Sequence, residues 1–155
     1  MTLAAPFVAA PFAAARLAAV PLAAAALVAF AAPAVAGDAA AGEKTFAKCR
    51  ACHMVVSDAG DVIVKGGKQG PNLWGVIGRT AVTQAEFAKY GDALNSAGEK
   101  GLVLDEANLA EYTADPKTFL RTFLDDKKAR SKMAYKLKSG GEDVAAFLAQ
   151  HGAGS

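Results

Sequence analysis

Residues 49–53 of the chain read Cys49-Arg50-Ala51-Cys52-His53. This C-x-x-C-H pattern is typical of haem c attachment. Two thiols must reach the two vinyl groups on one edge of a planar porphyrin, and the next residue must present an imidazole nitrogen to the iron. Residues three and four positions apart share a face of a helical turn, so Cys49, Cys52 and His53 can meet these demands together.

Two other uses of a C-x-x-C pair must be weighed. One is a thioredoxin-like redox pair, but such motifs sit in a βαβ unit, which the sequence does not indicate. The other is half of a zinc site, which needs about four ligands. The chain has no further cysteine, and His151 is the only other histidine. The sequence therefore predicts one covalent haem c, attached through Cys49 and Cys52.

The first 36 of the 155 residues have a different composition from the rest. They carry one charge, Arg16, among almost exclusively apolar residues, and they end in Ala34-Val35-Ala36. The A-x-A site predicts a secretory signal peptide over residues 1–36, cleaved after Ala36. A single haem domain over residues 37–155 would remain, and export would place it in the periplasm.

A retained membrane anchor is the alternative. Leu17 to Ala36 is a run of twenty apolar residues, just long enough to span a bilayer. The residues before Arg16 also lack the basic region of an ordinary signal peptide. Pro21, Pro33 and the A-x-A site favour cleavage over anchoring.

The rest of the chain reads as an all-α domain of about five short helices around the haem. Asp38, Asp105 and the pair Asp115-Pro116 are expected to start helices as N-caps. A capping box is also predicted at Thr83 and Glu86. The predicted helices are 39–48, one carrying Phe87, Tyr90 and Leu94, 106–113, one from Pro116 to Leu124, and 142–150, with a short strand pair at 62–64.

Gly42 and Phe46 are one turn apart on the first predicted helix and so share a face. A glycine inside a helix lowers its stability by about 1 kcal/mol relative to alanine. Its presence is best explained if another helix crosses closely at this point.

The ligand on the second face of the iron decides the function. Met1 leaves with the signal peptide, and Met54 is tethered to the same haem face as His53. Met133 lies in a polar, loop-like stretch, unlike a core methionine, and is the predicted sixth ligand. His151, close to the C-terminus, is expected to be a solvated end residue.

His/Met ligation favours ferrous iron, raises the potential and fills both axial positions. That describes a one-electron carrier and not an enzyme. The alternative is an open-site haem protein, peroxidase-like or gas-binding, in which Met133 only covers the iron. Pro71 leaves two interpretations open. Its carbonyl can orient His53 by accepting the second ring N–H, or the residue can simply form a turn.

With Cys49 to His53, Gly70-Pro71-Asn72-Leu73 and Lys132-Met133 in this order, the chain resembles class I cytochrome c. It is most similar to the bacterial cytochrome c2 or c550 type, over essentially all of residues 37–151. The resemblance implies that the first and last helices pack together, with Gly42 and Phe46 meeting Phe147.

The resemblance also implies roles for individual residues. His53 and Met133 would be the axial ligands, and the Pro71 carbonyl would be the partner of His53. Arg79 and Tyr90 match positions that contact a haem propionate, and Tyr112 matches the tyrosine near the methionine sulfur. One departure is Leu104, where the family commonly has a tryptophan that reaches a propionate; the only tryptophan here is Trp74.

Charge is concentrated late in the chain, although the mature region has a formal net charge of only +1. Between residues 117 and 138 only Asp125 and Asp126 oppose eight basic residues, which we call the basic run. Its position around Met133 favours partner docking over a merely solvated face, and nucleic-acid binding has little support. The basic run comprises Lys117, Arg121, Lys127, Lys128, Arg130, Lys132, Lys136 and Lys138.

The resemblance implies a soluble, monomeric carrier in electron transport, in either respiration or photosynthesis. Its partners would be membrane complexes such as a cytochrome bc1 complex, a photosynthetic reaction centre or a terminal oxidase. Docking to them would use a lysine-rich face that includes Lys127, Lys128, Lys132, Lys136 and Lys138.

Overall fold

The structure, a computed structural model, describes residues 37–152. The predicted signal peptide and its cleavage point lie outside these residues, as do residues 153–155. Within residues 37–152, no helix is both long and apolar enough to cross a membrane. The helices are α1 (Ala39–Phe46), α2 (Asp92–Glu99), α3 (Glu106–Ala114), α4 (Pro116–Leu124) and α5 (Gly141–Ala149).

Short strands connect the helices in two antiparallel pairs. In the first pair, β1 (Val55–Val56) lies beside β2 (Val62–Val64), which confirms the predicted strand pair. In the second, β3 (Arg79–Thr80) lies beside β4 (Val103–Leu104), with Arg79 opposite Leu104. Neither pair forms a sheet that could carry a βαβ unit.

Local side-chain caps start three of the helices as predicted. The Asp38 carboxylate accepts the backbone N–H groups of Ala40 and Ala41 at the start of α1. Asp105 and Asn108 form a reciprocal capping box at α3. These bonds satisfy N–H groups that have no partner inside the helix, so each cap fixes where its helix begins.

The Asp115 carboxylate makes two interactions at the start of α4. One carboxylate oxygen accepts the Thr118 backbone N–H at 3.1 Å, and Pro116 takes the first helical position. The other oxygen pairs with Lys136 Nζ at 2.5 Å. The carboxylate therefore joins the start of α4 to the segment that follows Met133.

The hydrogen bond from Lys136, supported by the Thr118 N–H, lowers the pKa of Asp115 from 3.8 to about 2. Because the folded-state pKa is depressed, ionised Asp115 stabilises the fold above pH 3.8. This contribution falls progressively as the pH drops towards 2. We expect Asp115→Asn to be less stable than the wild type at pH 7, with a difference that shrinks as the pH falls towards 2. Urea unfolding at both pH values measures this, with Asp126→Asn as the charge-matched control. A stability gap of the same size at pH 7 and pH 2 would contradict the assignment.

The predicted capping box at Thr83 and Glu86 is wrong, because no helix begins there. Val82 has a positive φ of 64°. The Thr83 hydroxyl donates to the Thr80 carbonyl at 2.7 Å, so it points back towards the preceding strand instead of capping a helix.

Helix α2 starts eight residues later than the box predicts. It begins at Asp92 after Gly91, which supplies no side-chain cap. Phe87 and Tyr90 precede the helix and pack edge to face at 4.9 Å. The carbonyls of Lys89 and Tyr90 accept from the Lys132 side chain, so a contact distant in sequence keeps this segment out of the helix.

Helices α1 and α5 pack against each other through Gly42, as the sequence predicts. Gly42 and Phe46 are both buried, and the rings of Phe46 and Phe147 lie 5.6 Å apart. A Cβ atom at Gly42 would overlap the Asp143 carbonyl and lie 2.9 Å from the Phe147 Cβ. The helices approach this closely because residue 42 has no side chain.

The buried apolar residues form two separate clusters. The α1–α5 cluster contains Phe46 and Phe147, with Cys49 packed at its edge. The α3–α4 cluster contains Tyr112 and Leu120, with Met133 at its edge. Leu104 is half-buried and contacts both clusters. Each cluster thus presents one of the predicted haem-binding side chains at its margin.

Candidate haem-binding site

The C-x-x-C-H motif forms a helical turn shortly after α1. The backbone N–H groups of Cys52 and His53 both donate to the Cys49 carbonyl, at 3.1 and 3.0 Å. Both cysteines are free. Burial raises the pKa of the Cys49 thiol, as does Cys52, against the opposing charge of Lys48. Redox-active C-x-x-C pairs have a depressed thiol pKa, so this environment does not favour the thioredoxin-like hypothesis.

The His53 imidazole is held in one orientation. Its Nδ1 donates to the Pro71 carbonyl at 2.9 Å. In the neutral ring, an Nδ1–H donor leaves the lone pair on Nε2. Burial lowers the pKa of His53 and outweighs the opposing hydrogen bond to Pro71. The neutral ring, which is the form that binds a metal, is therefore favoured.

A glycine-rich loop wraps around the motif and leaves room for the imidazole. The N–H of Gly67 donates to the Arg50 carbonyl at 2.9 Å, and that of Gly70 donates to the Cys52 carbonyl at 2.8 Å. A Cβ atom at Gly70 would lie 2.6 Å from His53 Nδ1. A side chain here would therefore push the imidazole out of its place.

Asn72 has a role that the sequence reasoning did not identify. Its Oδ1 accepts the backbone N–H groups of Val56 and Trp74 at 3.0 and 3.1 Å, and its Nδ2 donates to the Val56 carbonyl at 2.7 Å. These bonds fasten the Pro71 loop to β1, and so fix the acceptor that orients His53. The motif Gly70-Pro71-Asn72-Leu73 contained the signal, but these partners emerge only from folding.

Replacing Asn72 by alanine should destabilise the protein by about 2 kcal/mol, because partly buried backbone groups lose their partners. The free energy of unfolding from urea titration measures this loss. Asn95→Ala is the control, since the Asn95 side chain makes no hydrogen bond within residues 37–152. Equal stability of the two variants would show that the loop is held by other contacts.

Arg79 and Tyr90, matched by resemblance to propionate contacts, lie close enough to influence each other's pKa. The Arg79 guanidinium is half-buried and donates to the carbonyls of Trp74 and Asn72, at 2.9 and 3.2 Å. Leu104, at the position where the family commonly has tryptophan, pairs with Arg79 across the β3–β4 ladder. Leu104, which replaces the usual tryptophan, and Arg79, which matches the family, are therefore neighbours.

Met133 is half-buried beside Tyr112 and Ser131. The Met133 backbone N–H donates to Ser131 Oγ at 3.1 Å. Burial raises the pKa of Tyr112, against an opposing hydrogen bond with Ser131. Ser131 therefore bonds the Met133 backbone and also acts on the pKa of Tyr112, which belongs to the α3–α4 cluster.

The expectation that His151 is a solvated end residue is wrong. Its ring lies 4.7 Å from Phe147 and 6.3 Å from Trp74. Its backbone carbonyl accepts the N–H of Gly75 at 2.8 Å, and its Nε2 is buried. Packing under α5 holds this end of the chain against the Trp74 loop, which sequence position alone could not indicate.

Comparison with known proteins gives the family. A cytochrome c-551 from Roseobacter denitrificans is 64% identical over 107 residues, which cover 69% of this chain and 76% of that protein. A cytochrome c2 from Rhodobacter capsulatus is 54% identical over 107 residues, with 69% and 77% coverage. The chain belongs to the bacterial cytochrome c2 family. No protein-family model matches it.

Solved cytochrome c2 structures agree with the fold. The structure from Rhodobacter capsulatus is similar with a TM-score of 0.71 and 55% identity, covering 73% of this chain and 97% of that one. Ferric cytochrome c-550 from Paracoccus versutus is similar with a TM-score of 0.71 and 52% sequence identity, covering 74% of this chain and 98% of that one. The predicted all-α class I cytochrome c fold is confirmed.

The residues of this cytochrome c2 fit haem c. Two thiols lie on one turn, His53 has an uncommitted Nε2, and half-buried apolar side chains lie at the margins of both clusters. The protein therefore carries haem c, bound covalently through Cys49 and Cys52, and it is an electron carrier and not an enzyme. The haem supplies a one-electron iron couple, and the Pro71 carbonyl orients His53.

Proposed function

We propose that this protein is a periplasmic one-electron carrier whose iron is ligated by His53 and Met133. The position of Met133 carries this proposal. Among residues 37–152 the other candidate thioether is Met54, next to His53, and the other imidazole is His151, packed under α5. Met133 is half-buried at the edge of the α3–α4 cluster and remains available as the second iron ligand.

A thioether ligand suits a carrier for two reasons. It stabilises ferrous iron and so raises the potential. It also closes the second axial position, so small molecules bind poorly. In the proposed site, the Pro71 carbonyl orients His53. Arg79 and Tyr90 both contact a haem propionate, and Tyr112 lies near the Met133 sulfur.

An optical spectrum of the matured protein, with and without carbon monoxide, tests the ligation. We expect a low-spin spectrum with a sulfur-to-iron charge-transfer band in the oxidised form, and no response to carbon monoxide in the reduced form. A high-spin spectrum that shifts with carbon monoxide would favour the open-site alternative.

Export is the second part of the proposal. Residues 1–36 are removed after Ala36, and residues 37–155 form the mature periplasmic protein. Intact mass measurement on protein matured in a bacterial periplasm should give a chain that starts at Gly37 and carries one haem. A retained leader, with the protein in the membrane fraction, would indicate a tethered carrier instead.

The third part concerns partners. As a cytochrome c2, the protein is a redox shuttle to membrane complexes; we propose a cytochrome bc1 complex as donor and a reaction centre or terminal oxidase as acceptor. Lys127, Lys128 and Lys138 are exposed, as are Lys132 and Lys136. A basic face of this kind steers a carrier towards an acidic partner surface.

Reversing two of these charges should slow the encounter. Lys127→Glu combined with Lys128→Glu should lower the second-order rate with a purified reaction centre about tenfold at low ionic strength, and the difference should vanish at high salt. The matched control is Lys65→Glu with Lys68→Glu, an equal charge change on the exposed loop before Gly70. Equal effects from the two pairs would assign the rate to net charge and not to this face.

A further inference from the structure

Arg121 belongs to the basic run by its charge, but its guanidinium is engaged inside the protein. The residue is half-buried, and its Nε donates to the Ala129 carbonyl at 3.1 Å. Its own backbone carbonyl accepts the N–H of Asp126, also at 3.1 Å. Both bonds reach the segment that follows α4, residues 125–130, which we call the basic turn. Arg121 therefore bonds the basic turn near each of its two ends.

Further hydrogen bonds close the basic turn on itself. The Asp126 carboxylate accepts the backbone N–H of Lys128 at 2.8 Å, and the Asp126 carbonyl accepts that of Ala129 at 3.1 Å. Asp125, which ends α4, has a left-handed backbone with a φ of 52°. An aspartate that bonds the backbone two residues further on is typical of a tight turn. The shape of the basic turn is thus set by Asp126 as well as by Arg121.

Buried side chains anchor the basic turn to the protein core. Leu124, directly before the turn, and Ala129, within it, both belong to the α3–α4 cluster. Ala129 is only 5% exposed. The Leu124 carbonyl also accepts the side chain of Lys100 at 3.1 Å, from the end of α2. The turn is therefore held from the helix before it, from within and from the core.

Three cationic side chains extend outward from this backbone. Lys127, Lys128 and Arg130 are exposed, and none of their side chains makes a hydrogen bond or ion pair within residues 37–152. Lys136, by contrast, is paired with Asp115. The three free cations can meet a partner without breaking a bond inside the protein.

A fixed backbone under these charges affects docking in a specific way. A flexible surface segment loses conformational freedom when a partner orders it, and this loss weakens the complex; a segment that is already fixed avoids it. Long-range attraction depends on the charges and governs the association rate. The loss of a fixed backbone should therefore appear mainly in the dissociation rate.

We propose that the basic turn is a preformed docking element for a partner surface that carries carboxylates, and that Arg121 and Asp126 are positioning residues that fix its shape. Lys127, Lys128 and Arg130 make the contacts with the partner. This inference rests on the proposed docking through the basic face.

Arg121→Met tests the first positioning residue. Flash photolysis with a purified photosynthetic reaction centre, at low ionic strength, gives the association and dissociation rates of the haem protein. The matched control is Lys117→Met, which removes the same charge from the same helix. Its exposed side chain makes no hydrogen bond or ion pair in the described part of the chain. Arg121→Met should dissociate about three- to fivefold faster than this control, given the usual strength of one hydrogen bond, and the two association rates should agree.

Two variants of Asp126 test the second positioning residue. Asp126→Ala and Asp126→Asn remove the same charge, but asparagine keeps an oxygen that can accept the Lys128 N–H. Asp126→Ala should dissociate about threefold faster than Asp126→Asn. Amide hydrogen exchange at residues 126–129 should be faster in Asp126→Ala and Arg121→Met than in their controls. Equal dissociation rates within both pairs of variants would overturn the positioning role.

The charge-reversed variant with Lys127→Glu and Lys128→Glu separates this failure from that of the docking face. If it associates more slowly than the wild type while both pairs show equal dissociation rates, the positioning role is overturned alone. If it associates as fast as the wild type, the basic face is not the docking surface, and the preformed turn is overturned with it.

Discussion

Replacing Met133 by alanine is expected to abolish the sulfur-to-iron charge-transfer band and to lower the reduction potential. We expect a fall of about 0.2 V or more, since axial ligands set haem potentials over a range of ~0.8 V. The physical reason is that the thioether favours ferrous iron, and its loss removes that preference. The reduced variant should also bind carbon monoxide, because the second axial position is then open.

Two control variants show whether the effect of Met133→Ala is due to loss of the iron ligand. Met133→Leu keeps an apolar side chain of similar size, so a fall in potential there separates ligation from packing. Met54→Leu removes the other methionine of residues 37–152 and should keep the band. An unchanged potential in Met133→Ala would remove Met133 from the iron and revive the open-site alternative.

Replacing Gly42 by alanine should lower the free energy of unfolding by about 3 kcal/mol. In an isolated helix, replacing glycine by alanine stabilises the helix by about 1 kcal/mol. The effect expected at Gly42 therefore has the opposite sign. The added Cβ would overlap the Asp143 carbonyl and press on Phe147. Helices α1 and α5 would have to separate, and overpacking of this kind is strongly destabilising.

Thermal and urea unfolding, followed by circular dichroism, measure the effect of Gly42→Ala. We expect a midpoint about 10 °C or more below that of the wild type. Glu43→Ala is the control on the same helix, where an exposed side chain is truncated and the change should stay within about 0.5 kcal/mol. If Gly42→Ala were as stable as the wild type, the close helix crossing would be relaxed in solution.

Local patterns in the sequence were reliable at three of the helix starts. The caps at Asp38, Asp105 and Asp115 start their helices as predicted, because each carboxylate reaches an N–H two or three residues away. Gly42 also indicated a close helix crossing, because a glycine in the middle of a helix lowers the stability of that helix and must be explained by packing against another element.

Local patterns failed where distant segments compete for the same groups. Thr83 and Glu86 match a capping box, yet the Thr83 hydroxyl donates to Thr80 and Lys132 takes the carbonyls of Lys89 and Tyr90. His151 looked solvated from its place near the end of the chain, yet its ring packs beside Trp74, which is distant in sequence. Each outcome depends on a contact that the local pattern does not contain.

The sequence by itself determined the cofactor and its attachment, because the spacing of Cys49, Cys52 and His53 sets the chemistry within five residues. It also determined the all-α class through caps and periodicity. Folding alone establishes how Pro71 orients His53, how Asn72 fastens that loop, and that Lys132 donates to the carbonyls of Lys89 and Tyr90. These contacts join residues 16 to 43 positions apart, and their geometry exists only once packing has brought the segments together.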